Sequence, residues 1–162
     1  MGSGIQCEML QFCVVVNNLD EAMERYSSLF GIGPFLVYTV DTDELPGITR
    51  DGKPTKYRIR VGMAKMGGAV LELFESQQGE TIWKEFYDKH GEGLHHVGMF
   101  VPDYKAALKE FTDQGFKVTV DGPIVGKTRD GRFTYLDTQE RLGTTFELLD
   151  FPEDLMAQWK SK

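Results

Sequence analysis

The chain repeats itself, and this internal duplication constrains its fold more than any other feature. The segments QFCVVVNNLDEAMERY (11–26) and HVGMFVPDYKAALKEF (96–111) align without gaps at an offset of 85 residues. Each begins with an apolar strand and continues into an amphipathic helix, in which apolar residues recur at i, i+3, i+4 and i+7. Asn18 and Asp103 precede the two helices, where a side-chain oxygen can accept a free backbone N–H. The sequence therefore predicts two copies of one strand–helix unit.

Each half of the chain then returns to strands. KYRIRVGMA (56–64) and AVLELFE (69–75) close the first half, and GRFTYLDT (131–138) and TTFELLD (144–150) close the second. We predict an α+β fold with two tandem βαβββ modules, over about 8–76 and 93–150, within a single domain of 1–162. A linking helix is expected at about 80–90 and a C-terminal helix at about 152–160. Residues 40–56 are polar and rich in turn formers, which is typical of a lid or a binding loop.

Composition excludes several classes of function. The 162 residues carry a net charge of −7, which argues against a general binder of nucleic acid or of anionic membranes. The beginning of the chain lacks the basic and apolar regions of a signal peptide, and no apolar run is long enough to span a bilayer. Two cysteines give no disulfide framework. We therefore expect a cytoplasmic protein.

Two adjacent histidines open the second repeat. Side chains of neighbouring strand residues point to opposite faces. Val97, Met99 and Val101 suit the apolar stripe of the helix that follows, so we expect His96 to face away from that helix and His95 toward it. A hydrogen-bonded core histidine is the alternative to a functional role for His96.

Three more polar side chains are expected on the face that His96 occupies. Strand alternation directs Gln11 away from its own helix, with Cys13 on the same face. Glu72 and Glu147 each stand between two large apolar residues in mid-strand, where a charged group needs a partner or water. If the two half-sheets are related by a pseudo-twofold axis, they form a cupped mixed sheet with helices on its outer face. The cup then collects four polar residues, namely Gln11, Glu72, His96 and Glu147.

This set of side chains has the composition of a metal site. One imidazole, one amide oxygen and two carboxylates suit a hard-to-borderline divalent cation, and part of its coordination sphere stays open for water or substrate. We predict one divalent metal, with Co, Ni, Mn, Zn, Mg and Fe all open. A strand glutamine that only hydrogen-bonds a neighbour is the alternative for Gln11.

The layout resembles the vicinal-oxygen-chelate (glyoxalase/bleomycin-resistance/dioxygenase) superfamily, and within it the methylmalonyl-coenzyme A epimerases and glyoxalase-like relatives. The resemblance covers about residues 8–150 and rests on EGLHHVG, VVVNNLDEAMERY, VLELFES and TTFELL. It implies the metal ligands Gln11, Glu72, His96 and Glu147. The first ligand is usually His in the epimerases, whereas some glyoxalase I enzymes use a Gln, Glu, His, Glu set. A dimer is the family-level expectation.

We also predict roles for Arg60, Tyr135 and Cys13. The epimerases carry a second acid/base glutamate on the strand before Glu72, and the alignment places Arg60 there. Arginine stays protonated, but its planar fork suits a carboxylate or phosphate, so we predict that Arg60 binds an anionic substrate. A solvated charge on an edge strand is the alternative. Tyr135 is expected to donate to a substrate oxygen or to fill the cup with its ring. Cys13 is expected to be a small buried hydrophobic residue, near the predicted metal.

Together these features predict a metal-dependent isomerase, epimerase or lyase. It would abstract a proton next to a carbonyl group held by the metal, on an acyl-coenzyme A or a small 2-oxo substrate, with Glu147 as the base. The alternative is a protein that sequesters a small molecule in the cup without catalysis, which the two carboxylates argue against. A ring-cleaving dioxygenase ranks last because its iron site needs two histidines, and Gln11 stands where one of them is required.

Overall fold

The order of helices and strands follows the predicted duplication. A computed structural model describes residues 4–125, 127 and 130–160. Its elements are β1 (Glu8–Val15), α1 (Leu19–Phe30), β2 (Leu36–Asp41), β3 (Thr49–Arg50), β4 (Lys53–Pro54), β5 (Arg58–Met66), β6 (Ala69–Gln78), α2 (Ile82–His90), β7 (Gly93–Phe100), α3 (Tyr104–Asp113), β8 (Val118–Ile124), β9 (Gly131–Leu136), α4 (Gln139–Leu142), β10 (Thr145–Asp150) and α5 (Glu153–Lys160). The series β1–α1–β2–β5–β6 and β7–α3–β8–β9–β10 confirm an α+β fold of two βαβββ modules. Helices α2 and α5 lie where a linking helix and a C-terminal helix were expected.

The chain divides into two compact units that largely follow the two modules. The module-one unit comprises Leu10–Pro46 and Thr55–Val97. The module-two unit comprises the N-terminal segment through Met9, then Gly47–Pro54, then the chain from Gly98 onward. Strand β7 passes from the first unit into the second. The single domain of 1–162 stays a prediction.

A mixed sheet forms the module-one unit, in the order β2–β5–β6–β1. The pairs β2–β5 and β5–β6 are antiparallel, and β6 and β1 run parallel. Helix α1 buries Leu19 and Ala22 against one face of this sheet, where Leu71 and Leu73 of β6 belong to the same apolar cluster. Because strand residues alternate between faces, the residue between those two leucines, Glu72, lies on the face away from α1.

The first turn of α1 is tied to the sheet by polar contacts. The Asn18 side chain caps the helix by accepting the Glu21 N–H at 3.2 Å, and its amide group donates to the Glu21 carboxylate at 3.2 Å. The Glu75 carboxylate of β6 accepts the Leu19 N–H at 2.8 Å. Gly31 ends the helix in a left-handed conformation with φ of 66°. Within the described residues, no helix combines the length and the apolar character needed to cross a membrane.

The module-two unit repeats this arrangement with an antiparallel sheet. Its strands follow the order β10–β9–β8–β3–β4. Ala107 of α3 packs against Leu136 of β9 and Leu148 of β10 in one buried cluster. Alternation then places Tyr135 and Glu147 on the face away from α3.

Residues 40–56, predicted to be a lid or a binding loop, contain the ordered hairpin β3–β4. Thr49 of β3 lies opposite Asp121 of β8, and the Asp51 N–H donates to the Thr119 carbonyl oxygen at 2.9 Å. Asp51 and Gly52 turn the hairpin with positive φ angles of 50° and 75°. Part of the loop therefore serves as an edge of the module-two sheet.

We expect Gly131→Ala to destabilise the protein strongly. A Cβ atom at this position would lie 1.9 Å from the carbonyl oxygen of Asp150 and 2.8 Å from Cδ of Pro152, so β9 and β10 would have to separate. Overpacking of this kind costs about 3 kcal/mol in the free energy of unfolding. Gly68→Ala is the matched control, because its Cβ meets nothing within 4 Å. Urea midpoints measure both variants, and equal midpoints would contradict the close approach.

Candidate functional site

Three buried polar side chains converge in the module-one unit, on the sheet face away from α1. Gln11 Nε2 donates to Glu72 Oε2 at 2.9 Å, and His96 Nε2 lies 3.4 Å from the same oxygen. Gln11, Glu72 and His96 are 4%, 3% and 0% exposed. The structure thus brings together three of the four residues predicted as metal ligands, around one carboxylate oxygen.

Strand pairing explains this convergence. In the parallel pair β1–β6, Gln11 lies opposite Val70 and Cys13 lies opposite Glu72, so all four share one face. His96 lies on β7. The Cys13 sulfur, a Glu72 carboxylate oxygen and a His96 ring nitrogen all lie within 4.8 Å of one another, and Cys13 is fully buried. Cys13 therefore belongs to the cluster itself.

The environment of Glu72 is unfavourable to a free carboxylate. Burial raises the pKa of the Glu72 carboxyl group to about 8. The ring of Phe74, two residues along the same face, meets the His96 ring edge-on with centroids 5.6 Å apart. A divalent cation would supply the positive charge that this apolar setting lacks. The cluster therefore fits a metal site by its donor atoms and by its electrostatics.

His95 was expected to face the helix that follows its strand, α3, but its ring packs on the linking helix α2. Its ring packs edge-on against Phe86 with centroids 5.2 Å apart and lies 6.4 Å from the Trp83 ring. Burial, together with the neighbouring His96, lowers the pKa of His95 to about 3, so His95 is neutral at physiological pH. His95 Nδ1 and His96 Nδ1 are 2.9 Å apart, so one of the two nitrogens donates to the other.

Arg60 lies apart from this cluster. In the antiparallel pair β5–β6, Met63 stands opposite Glu72, whereas Arg60 stands opposite Glu75. Arg60 is therefore on the α1 side of the sheet, where its guanidinium donates to Asp20 at 2.9 Å and contacts Glu75 at 3.4 Å. The alignment that put Arg60 at the place of a second acid/base residue does not match this register. Its role in binding an anionic substrate stays a prediction.

Other basic residues around Arg60 also have acidic partners. Arg58 pairs with Asp41 at 2.6 Å, and Lys56 pairs with Asp43 at 2.8 Å. The hydrogen bond from Arg58 lowers the pKa of Asp41 below its usual range. The positive charges of Lys56 and Arg58 are thus compensated by carboxylates of the preceding segment.

Glu147 and Tyr135 face each other in the module-two unit, as Glu72 and Met63 do in the module-one unit. They lie opposite each other in the pair β9–β10, and both are buried. The Tyr135 ring packs edge-on against Phe133, with centroids 5.9 Å apart. Each unit therefore carries a buried glutamate on the sheet face away from its own helix. The roles predicted for Glu147 and Tyr135 stay predictions.

Two neighbours of Glu72 were not among the predicted site residues. Met63 has the same strand parity as Tyr57, Ile59 and Val61, and Arg60 has the opposite parity. Cys13 was placed on the correct face, but only the pairing of β1 with β6 shows that it stands directly beside Glu72.

A family model described as the Glyoxalase/Bleomycin resistance protein/Dioxygenase superfamily matches residues 10–135 of the chain. No protein with a curated description matches the chain. The match spans both repeats and includes Gln11, Glu72 and His96. It ends before Glu147.

Solved structures share the fold at low sequence identity. A variant of methylmalonyl-CoA epimerase from Streptomyces coelicolor, in complex with 2-nitronate-propionyl-CoA, is 24% identical with a TM-score of 0.67, and the match covers 90% of this chain and 97% of that chain. Methylmalonyl-CoA epimerase from Mycobacterium tuberculosis is 20% identical with a TM-score of 0.66, covering 92% and 91%. A hypothetical protein from Bacillus halodurans C-125 is 18% identical with a TM-score of 0.65, covering 91% and 96%. At these identities the likeness shows the fold alone.

We expect His96→Ala to weaken metal binding far more than His95→Ala does. His96 Nε2 faces Glu72, whereas the His95 ring packs on α2 and reaches only the far nitrogen of His96. Loss of such an outer partner typically lowers metal affinity about 10- to 100-fold, and loss of a ligand lowers it more. Isothermal titration with Co²⁺ measures both, with circular dichroism to show that each variant is folded. Equal losses of affinity would contradict the assignment of His96 as the ligand.

Proposed function

Because the chain belongs to the glyoxalase/bleomycin resistance protein/dioxygenase superfamily, we propose that it is a divalent-metal-dependent enzyme that removes a proton from the carbon next to a carbonyl group. The observation that carries the proposal is the convergence of Gln11 and His96 on one buried carboxylate oxygen of Glu72. Burying a carboxyl group costs free energy, so its place in an apolar sheet calls for a compensating partner. A metal cofactor supplies that partner.

Three side chains of the module-one unit fit a cation. Glu72 offers its carboxylate and His96 its Nε2. If Nε2 of His96 binds the metal, its Nδ1 carries the proton and donates to His95, as the outer nitrogen of a metal-binding histidine usually does. Gln11 presents its amide nitrogen to Glu72, and a half-turn of the amide would present the oxygen instead. The resemblance adds Glu147 as the fourth ligand.

Each residue then has a defined task. A bound cation would draw electron density from a substrate carbonyl oxygen and so acidify the neighbouring C–H group. We propose Glu147 as the base that takes this proton, because a carboxylate is a suitable general base for carbon acids beside a polarised carbonyl. Tyr135, opposite Glu147 in the sheet, is proposed to donate to a substrate oxygen.

One base favours isomerisation over inversion at carbon. Strand β5 carries no carboxylate between Arg58 and Met66, and Met63 stands beside Glu72. A single base that removes and returns the proton acts on one face of the substrate. Transfer of the proton to an adjacent carbon fits this geometry better than epimerisation, which needs proton delivery to the opposite face.

The substrate is proposed to be an acyl-coenzyme A or a small 2-oxo compound. The acyl-coenzyme A class is supported by the Streptomyces coelicolor epimerase, whose structure contains 2-nitronate-propionyl-CoA. The 2-oxo class is supported by the single base and by the Gln, Glu, His, Glu set. A homodimer and a cytoplasmic location stay predictions, and light scattering of the purified protein measures the first.

Deuterium exchange tests the proposed reaction. We expect the Co²⁺-loaded protein in D₂O to incorporate deuterium into methylmalonyl-CoA or into a small 2-oxo compound, as followed by NMR. Glu147→Gln should slow this exchange about 10²- to 10⁴-fold at saturating metal, because the amide cannot take the proton. Glu140→Gln is the matched control on exposed α4 and should leave the rate unchanged.

A chelator provides a second control. Removal of the metal should abolish exchange and lower the melting temperature, since a ligand that binds only the folded state stabilises it. If the metal-loaded protein exchanges neither substrate class, the enzyme proposal fails, and a small-molecule-binding protein of the same fold becomes the better description.

A further inference from the structure

The thiol of Cys13 belongs to the buried cluster that Glu72 and His96 form. Cys13 lies on β1 directly opposite Glu72 of β6, and its sulfur lies within 4.8 Å of both the Glu72 carboxylate and the His96 ring nitrogen. All three side chains are at most 3% exposed. Gln11, on the same strand and the same face, instead presents an N–H donor to Glu72.

The three atoms are close enough to share one ion. Bonds from zinc to sulfur, nitrogen and oxygen are about 2.0–2.3 Å long, so two atoms bound to one tetrahedral ion lie about 3.3–3.8 Å apart. The three atoms lie within 4.8 Å of one another, so side-chain movements of about 1 Å bring them to that separation. A cation also deprotonates a coordinating thiol, releasing the proton to solvent, and so leaves no uncompensated charge among the buried groups.

We propose that Cys13 Sγ is a ligand of the metal, together with Glu72 and His96, and that Gln11 acts as a positioning residue that holds the Glu72 carboxylate. This proposal rests on the metal site of the proposed function and deepens it by assigning to Cys13 the ligand position considered there for Gln11. A thiolate ligand favours Zn²⁺ and Co²⁺ over Mg²⁺ and Mn²⁺. A site made of an amide, a carboxylate and an imidazole has a weaker preference for Zn²⁺ and Co²⁺. Cys13 would therefore determine which metal the protein selects.

Cobalt spectroscopy of the full-length protein tests the ligand directly. Co²⁺ bound to a thiolate gives a sulfur-to-cobalt charge-transfer absorption in the near ultraviolet, and this readout does not depend on activity. The chain has two cysteines, and Cys7 is exposed. Cys7→Ser is thus a matched control that leaves Cys13 as the single thiol.

We expect the charge-transfer absorption in the wild-type protein and in Cys7→Ser, and its loss in Cys13→Ser. The affinity of Cys13→Ser for Co²⁺ should fall by more than about 10-fold. Loss of a residue that only hydrogen-bonds a metal ligand already lowers metal affinity by at least about that factor. Its preference for Zn²⁺ over Mn²⁺, measured by competition, should fall as well. If Cys13→Ser does not fold, the comparison of the wild-type protein with Cys7→Ser still assigns the absorption to one thiol.

The remaining outcomes overturn the proposal in distinguishable ways. Co²⁺ that binds with visible d–d bands but without the sulfur absorption rejects Cys13 as a ligand and leaves the proposed function standing. An absorption that disappears in Cys7→Ser assigns the sulfur to the exposed thiol and rejects Cys13. Failure of Co²⁺ to bind at all rejects both the Cys13 proposal and the metal dependence of the proposed function.

Discussion

The burial of the Glu72 carboxyl group is the constraint on which the site depends. Leu71 and Leu73 pack on the α1 side of the sheet, so Glu72 between them points to the other face, where burial raises the pKa of its carboxyl group to about 8. Other strands must therefore supply polar atoms at the same level. Gln11 of β1 and His96 of β7 do so, and both reach the same oxygen. Each thereby gives the buried carboxyl group a polar partner.

Strand parity decides which residues can join this group. Helix α1 occupies one face of the module-one sheet. Strand residues whose side chains point to that face, here called the first parity, meet α1 and its flanking charges. Strand residues of the second parity point to the opposite face, which carries Glu72. Arg60 has the first parity and is engaged by Asp20 and Glu75. Met63 has the second parity and stands beside Glu72. The position beside Glu72 thus belongs to Met63, three residues after Arg60, and an apolar side chain stands there where the alignment had put an arginine.

The sequence alone was sufficient for the features that depend on local periodicity. The duplicated strand–helix pattern predicted both modules, the caps of α1 and α3, and the inward faces of Gln11 and His96. It was insufficient where pairing between distant strands decides the outcome. The closeness of Cys13 to Glu72 follows from the parallel register of β1 and β6, which are 61 residues apart at the Gln11–Glu72 contact. The hairpin β3–β4 was missed because its strands are two residues long and turn-rich, and they are defined by pairing with β8.

The connectivity of the two units also bears on the order in which the chain assembles. The module-two unit takes the N-terminal segment through Met9 and the hairpin Gly47–Pro54, but the rest of it begins only at Gly98. Ile5 packs in its core, and β3 pairs with β8. A ribosome delivers the N-terminus first, so these two early segments must wait, exposed, for partners synthesised later. The module-one unit has all its residues once Val97 has emerged, so it is complete before the module-two unit is.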